Sequence, residues 1–300
     1  MASGIGVLVS DRIAAALVDG NKIVGELQSF PPGDFVPDAL LGMPADSIVE
    51  KIVNAARPFL SETRLSTIGV GFPGIVKNGV IEDSPNLVQL KGQPMQILLE
   101  TAFRGLINEP TVALFNDADV VAAGLAAKRG QLDRFIRVWT LGNGVGYGRY
   151  PSVEGVWEGG HMVVTLDPKE QYCGCGGHGH VEGIVGHRSM RLRFMDLEPE
   201  EVFEQARQGD QRCSDFVKLW HRALAAATAT SVHLDGPGKF FFTGPNSAFL
   251  NVGLLGEYLH EMVKLSPLQS YSLEVVPGGE EIAVLGAAVN AIQAFRRNGT

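Results

Sequence analysis

The stretch Thr111-Val112-Ala113-Leu114-Phe115-Asn116-Asp117-Ala118-Asp119-Val120-Val121-Ala122-Ala123-Gly124 decides the fold class. Residues 111–115 read as an apolar strand. Asn116 and Asp117 punctuate it, and an Ala-rich helix follows over residues 118–129, with Gly130 placed to end it. The alternation continues in both directions. Upstream, residues 68–72 form a strand-like run that ends at Pro73-Gly74, and residues 47–60 carry Ile48, Ile52, Ala55, Ala56 and Phe59 at helical spacing. Pro94 can open a helix whose apolar face holds Leu98, Leu99, Ala102, Phe103 and Leu106. Residues 5–9, 13–18 and 22–27 read as three short strands joined by tight turns, and the proline-rich residues 30–44 as a loop.

Downstream, a strand over residues 135–140 runs into Leu141-Gly142-Asn143-Gly144-Val145-Gly146. A long helix is expected from about 214 to 232, a strand over 239–243 and a turn at Gly244-Pro245-Asn246. A helix from about 247 to 263, a strand over 271–276 and a closing helix over 282–295 complete the chain. Strands alternating with helices predict an α/β architecture. Val70-Gly71-Phe72-Pro73-Gly74 and Leu141-Gly142-Asn143-Gly144 echo each other, as apolar strands feeding Gly-rich turns. That suits two lobes closing on a cleft, where small-molecule sites collect.

Composition narrows the function. The chain has 300 residues, of which 45% are hydrophobic and 19% charged, so it can build a core and is neither a disordered chain nor a fibre. With 33 acidic and 25 basic residues the formal charge is −8, and no dense Lys/Arg run exists to hold a nucleic acid. No apolar run approaches the roughly 20 residues that span a bilayer. Met1-Ala2-Ser3-Gly4 shows no basic segment followed by an apolar core, so no signal peptide is expected. Three cysteines, two of them one residue apart, fit a reducing cytosol and a metal better than a disulfide framework.

Three segments carry chemistry. Cys173-Gly174-Cys175-Gly176-Gly177-His178-Gly179-His180 offers two thiolates and imidazoles on a Gly-rich loop, the N/S donor set that Zn²⁺ takes in a closed structural site. His161 is the obvious further ligand, with His178 and His187 also available. Asn116-Asp117 lies between an apolar strand and a helix, where ligands gather at strand ends in open α/β sheets; the same pair also suits a helix N-cap. Glu158-Gly159-Gly160-His161 and Glu182 flank the Cys/His loop, as polyol ligands or as solvated carboxylates.

Together these segments resemble the ROK family of repressors, uncharacterised reading frames and sugar kinases, over about residues 4–295. The resemblance is carried by Gly69-Val70-Gly71-Phe72-Pro73-Gly74-Ile75-Val76, Ser84-Pro85-Asn86-Leu87, Asn116-Asp117-Ala118-Asp119 and Leu141-Gly142-Asn143-Gly144-Val145-Gly146. Glu158-Gly159-Gly160-His161, the run from Cys173 to Glu182 and Leu285-Gly286-Ala287-Ala288 complete it, with His180 standing where the family has a third Cys. It implies a two-lobed actin/hexokinase-like (ribonuclease H-like) α/β fold with a cleft between lobes. The expected N-terminal lobe covers residues 1–116, completed by the C-terminal helix at about 281–300; the C-terminal lobe, with the zinc loop, covers 117–280.

The resemblance further implies phosphoryl transfer from Mg-ATP to the 6-hydroxyl of a hexose such as glucose, in a cytoplasmic homo-oligomer, for instance a dimer. Asp117 would be the general base. Asn86, Asn116, Asp117, Glu158, His161 and Glu182 would bind the sugar, and His161, Cys173, Cys175 and His180 would hold zinc. Arg12, Gly142, Asn143, Gly144 and Gly244 would face the nucleotide. The family's first phosphate loop, Asp-x-Gly-Gly-Thr-Lys, is here Val7-Leu8-Val9-Ser10-Asp11-Arg12, which keeps only the cation. The alternative is therefore a sugar-binding pseudokinase with a weakened or lost ATP site. The family's repressor branch, with a winged helix-turn-helix before the body, is not expected, because the first strand starts by about Gly4.

Overall fold

The computed structural model describes residues 3–33, 39–60, 67–152, 158–264 and 270–298. Residues 34–38 of the expected 30–44 loop lie outside them. The chain groups into two compact units. The first comprises Met1–Ile136, Gly148–Val156 and Gly279–Thr300; the second comprises Arg137–Tyr147 and Trp157–Gly278.

The first unit is built on β1 (Ser3–Val9), β2 (Ile13–Asp19), β3 (Lys22–Phe30), α1 (Ala45–Leu60), β4 (Thr67–Phe72) and the small hairpin β5 (Ile75–Lys77) with β6 (Val80–Asp83). It continues with α2 (Met95–Phe103), β7 (Thr111–Asn116) and α3 (Asp117–Lys128). Its five-stranded sheet has the order β3-β2-β1-β4-β7. β1 to β3 are antiparallel neighbours, while β1, β4 and β7 run parallel, with Val7 opposite Val70 and Phe72 opposite Asn116.

The two-residue period of β1 assigns its faces. Ile5, Val7 and Val9 join a buried cluster with Ile48, Ile52 and Phe59 of α1 and Leu99 and Phe103 of α2. Each such large side chain contributes about 1.5–3 kcal/mol relative to exposure. Leu8 faces the other way, with Val120 of α3 and Val284 and Ala287 of the last helix. Pro94 precedes α2 as its N-cap rather than starting it, and Leu106 lies beyond the helix end and is exposed. Gly130, at φ +62°, follows α3 as expected of a left-handed terminator.

The second unit opens with β8 (Ile136–Leu141) and β9 (Val145–Tyr150), and the chain returns to the first unit within β9. Then come α4 (Glu182–Val185), α5 (His187–Arg193), α6 (Pro199–Arg207), α7 (Gln211–Asp235), β10 (Lys239–Thr243), α8 (Val252–Met262) and β11 (Ser272–Val275). The sheet order is β11-β10-β8-β9. Trp139, Tyr147, Trp220, Phe240 and Phe242 are central to its core. The expected helix over 247–263 is interrupted: a 3-10 turn covers Pro245–Phe249, and Asn251 starts α8 afresh by accepting the Leu254 N–H.

The last helix, α9 (Glu280–Asn298), belongs to the first unit and packs on α3. The two backbones approach closely because Gly286 carries no side chain: a Cβ there would lie 1.7 Å from the Val120 carbonyl oxygen and 2.5 Å from the Gly124 nitrogen. No described helix is long and apolar enough to cross a membrane.

Candidate functional site

In the first unit, β7 delivers Asn116 and Asp117 to the end of a parallel strand. Asn116 is the N-cap of α3: its side-chain oxygen accepts the N–H groups of Ala118 and Asp119, and its amide donates to the Gly74 carbonyl at 2.9 Å. The cap role therefore falls to Asn116 rather than Asp117. Asp117 is the first helical residue, and its Oδ1 also accepts the Ala118 N–H. The positive end of the helix favours a carboxylate there. Asp119 accepts the Arg149 N–H, and desolvation pushes its pKa up to about 6. Asn86 is exposed, on a loop held by buried Leu87 and Leu90.

The β1–β2 turn differs sharply from a phosphate loop. Val7 and Val9 are fully buried in the core. The Ser10 N–H is engaged with the Arg12 carbonyl. The Arg12 guanidinium forks onto Glu280, Nε to Oε1 at 2.5 Å and Nη2 to Oε2 at 2.6 Å, and Nη1 donates to the Gly33 carbonyl at 3.0 Å. Glu280, the first residue of α9, gave no signal in sequence, because 268 positions separate it from Arg12.

In the second unit, His161, Cys173, Cys175 and His180 converge, with one donor atom from each lying within 4.8 Å of all the others. Backbone pairing accounts for this. Val164 N–H donates to Gly179 O and Val181 N–H to Met162 O, which sets His161 beside His180 with ring centroids 5.1 Å apart. Cys175 Sγ lies 3.2 Å from His180 Nδ1 and 3.3 Å from Cys173 Sγ. Gly179 has φ +70°, and a Cβ on it would meet the Thr165 oxygen at 2.0 Å. The loop is anchored by Glu170, which accepts both Nη groups of Arg193, while that guanidinium stacks 4.3 Å from the Tyr172 ring. Two soft thiols and two imidazoles in this space fit one tetrahedral ion of the zinc type. Burial first, with the neighbouring Cys175 thiol and the Glu182 charge, pushes the Cys173 thiol up to about 12, a cost that a bound cation removes by holding the thiolate. Among the described groupings His178 takes no part in this set, and His187 belongs to a different one with Glu198 and Glu200.

The Gly-rich segment after β8 is fastened to the same region. Gly142 N–H donates to Gly144 O, and His187 N–H donates to Gly142 O. Glu182 Oε2 accepts the Val145 N–H at 3.0 Å, and its Oε1 lies 3.5 Å from Cys173 Sγ. Gly144 leaves room for that carboxylate, since a Cβ there would sit 2.6 Å from Oε2. Asn143 is exposed, as is Glu158, whose Oε2 lies 3.9 Å from His161 Nδ1. Gly244, at φ +92°, sits against the Leu141 backbone. Beside it, buried Asn246 donates to the carbonyls of Gly142 and Val185 and contacts His187 Nδ1 at 3.0 Å. Its partners come from three separate segments, so its place in the turn Gly244-Pro245-Asn246 did not reveal this role.

Comparisons with known proteins bear on the family and the fold. A glucokinase of Pyrobaculum calidifontis is 29% identical over 242 residues, covering 75% of this chain and 78% of that protein. An N-acetylmannosamine kinase of Haemophilus influenzae is 26% identical, covering 92% and 91%. The crystal structure of a ROK hexokinase from Thermus thermophilus superposes with a TM-score of 0.80 at 24% identity, covering 99% of this chain and all of that one. The last likeness shows the fold, which is the actin/hexokinase-like α/β fold. The model of the ROK family matches residues 10–293, from the β1–β2 turn to the last helix, and this chain therefore belongs to the ROK family.

Proposed function

We propose that this chain is a sugar kinase that transfers a phosphoryl group from ATP to the 6-hydroxyl of a hexose, glucose or a close relative. The observation that carries the reading is the junction of β7 and α3. Asn116 takes the capping bonds there, and the Asp117 carboxylate stands at the end of a parallel strand at the positive end of a helix. Asp117 removes the proton from the attacking hydroxyl. With little covalent work for the protein to do, the remaining groups position and stabilise charge. Asn86, Asn116, Glu158, His161 and Glu182 are the partners we assign to the other sugar hydroxyls, and Arg12, Gly142, Asn143, Gly144 and Gly244 those on the nucleotide side.

His161, Cys173, Cys175 and His180 would hold one structural zinc, which fixes the loop bearing Glu158 and Glu182. The relatives' names, glucokinase and N-acetylmannosamine kinase, support a hexose or an N-acetylated hexosamine as substrate.

A second reading, a sugar-binding pseudokinase, is favoured by the β1–β2 turn, where Val7 is in the core and Arg12 is paired with Glu280. One experiment separates the two. The purified chain is incubated with Mg-ATP and a panel including glucose, mannose and N-acetylmannosamine, and sugar phosphate is detected by mass and phosphorus NMR. Product formation that disappears in Asp117→Asn supports the kinase. Hexose binding by calorimetry without product from any donor supports the pseudokinase.

A further inference from the structure

We propose that Glu280 is a built-in competitor of the phosphoryl donor, holding Arg12 in the two-bonded fork that a donor phosphate would otherwise take. The inference rests on the reading of Arg12 as the donor-side cation, and it assigns to Glu280 the control of donor affinity.

The geometry is specific. A guanidinium presents a planar pair of donors that matches a carboxylate or a phosphate equally well, so the two anions exclude each other at one arginine edge. That edge, Nε with Nη2, is on Glu280 at 2.5 and 2.6 Å, and the remaining Nη1 is on the Gly33 carbonyl. The pair is only 17% and 23% exposed, so it is screened by salt less than a surface pair would be. Glu280 raises the Arg12 pKa further above its ordinary value, chiefly through the side-chain hydrogen bond.

Glu280 also opens α9. Its carboxylate therefore stands at the positive end of a 19-residue helix, a place that would otherwise favour an external anion. The turn has little else to offer a phosphate. Val7 and Val9 are in the core and the Ser10 N–H is already bonded to the Arg12 carbonyl. A donor that takes Arg12 by this two-bonded edge must therefore displace Glu280, and a donor with concentrated charge does so best.

The test is calorimetric titration of the full chain with Mg²⁺-tripolyphosphate and with Mg²⁺-AMPPNP. Glu280→Gln keeps the shape and an acceptor oxygen but removes the charge-assisted fork. It should tighten both ligands by about tenfold, the scale of one charge-assisted hydrogen bond. Glu281→Gln removes the same charge from the same helical turn, at an exposed position, and should change affinity by less than about twofold. Arg12→Ala combined with Glu280→Gln should lose the gain. The proposal is overturned if Glu280→Gln binds no tighter, if Glu281→Gln gains as much, or if the gain survives without Arg12.

Circular dichroism reports folding. Should Glu280→Gln not fold, Glu280→Asp carries the test, because it keeps the charge but shortens the reach, and it should give a smaller gain in the same direction. Sugar phosphorylation is assayed separately. Tighter tripolyphosphate binding with no sugar phosphate from any variant leaves the competitor in place and removes the kinase reading. Normal turnover with an unchanged donor KM in Glu280→Gln removes the competitor alone.

Discussion

The Asp119 carboxylate accepts the backbone N–H of Arg149 at 2.8 Å, and so fastens the first turn of α3 to β9 two residues from Asp117. β9 approaches so closely that a Cβ on the neighbouring Gly148 would lie 1.9 Å from the Ala118 carbonyl oxygen. The helix that carries the proposed base is thus set by a polar bond at its side as well as by the Asn116 cap.

That bond makes stability pH-dependent. Desolvation raises the Asp119 pKa to about 6, while the Arg149 N–H and charge oppose the shift. In the unfolded chain an aspartate titrates near ~3.9. The folded state therefore binds the proton more tightly, and this group's contribution to stability is full below about pH 4 and is lost as pH rises through about 6. Asp119→Asn keeps an acceptor for Arg149 but carries no charge. It should flatten this part of the stability curve and raise stability at pH 7 by on the order of 2 kcal/mol. Denaturant unfolding at pH 4.5 and 7 checks it; parallel curves for the two proteins would exclude a buried titration at Asp119.

Asp117→Asn separates binding from chemistry. If Asp117 is the base, turnover should fall by roughly two to four orders of magnitude while hexose affinity changes far less. Steady-state kinetics beside calorimetry measures both, and equal losses would make Asp117 a binding residue only.

The Cys/His cluster should carry about one zinc per chain after purification without added metal, as a single four-ligand site requires. Elemental analysis gives the number. Cys175→Ser should lose the metal and increase hydrogen exchange over residues 158–182, because Glu182 Oε1 lies 3.5 Å from the neighbouring ligand Cys173. A folded, metal-free wild type with a protected loop would contradict this.

Gly286→Ala tests the α3–α9 contact. The added methyl has backbone on its far side, the Val120 carbonyl oxygen and the Gly124 nitrogen. It cannot be accommodated by a rotamer change, so the helices must separate, at a cost of at least about 2 kcal/mol. Gly256→Ala in α8, where a Cβ meets nothing within 4 Å, serves as the control and should be neutral or slightly stabilising. Thermal melts of the two variants distinguish them.

Much of this protein was written in local sequence. The two-residue period of Ile5, Val7 and Val9, the helical spacing of Ile48, Ile52 and Phe59, and the turn residues Asn116, Gly130 and Gly244 each state a backbone preference that needs no distant partner. The donor types of Cys173, Cys175 and His180 were equally plain, because ligand chemistry resides in the side chain itself. Tertiary structure decided the rest, since the missing facts are relations between distant positions. The sequence favoured His161 as the further ligand but left His178 and His187 available, and pairing of residues 162–164 with 179–181 brought His161 in and left His178 outside the cluster. Arg12 was visibly a cation, but its direction was fixed by Glu280 across 268 positions of chain. Composition and periodicity report which face a residue prefers; only the folded chain determines which charge meets which.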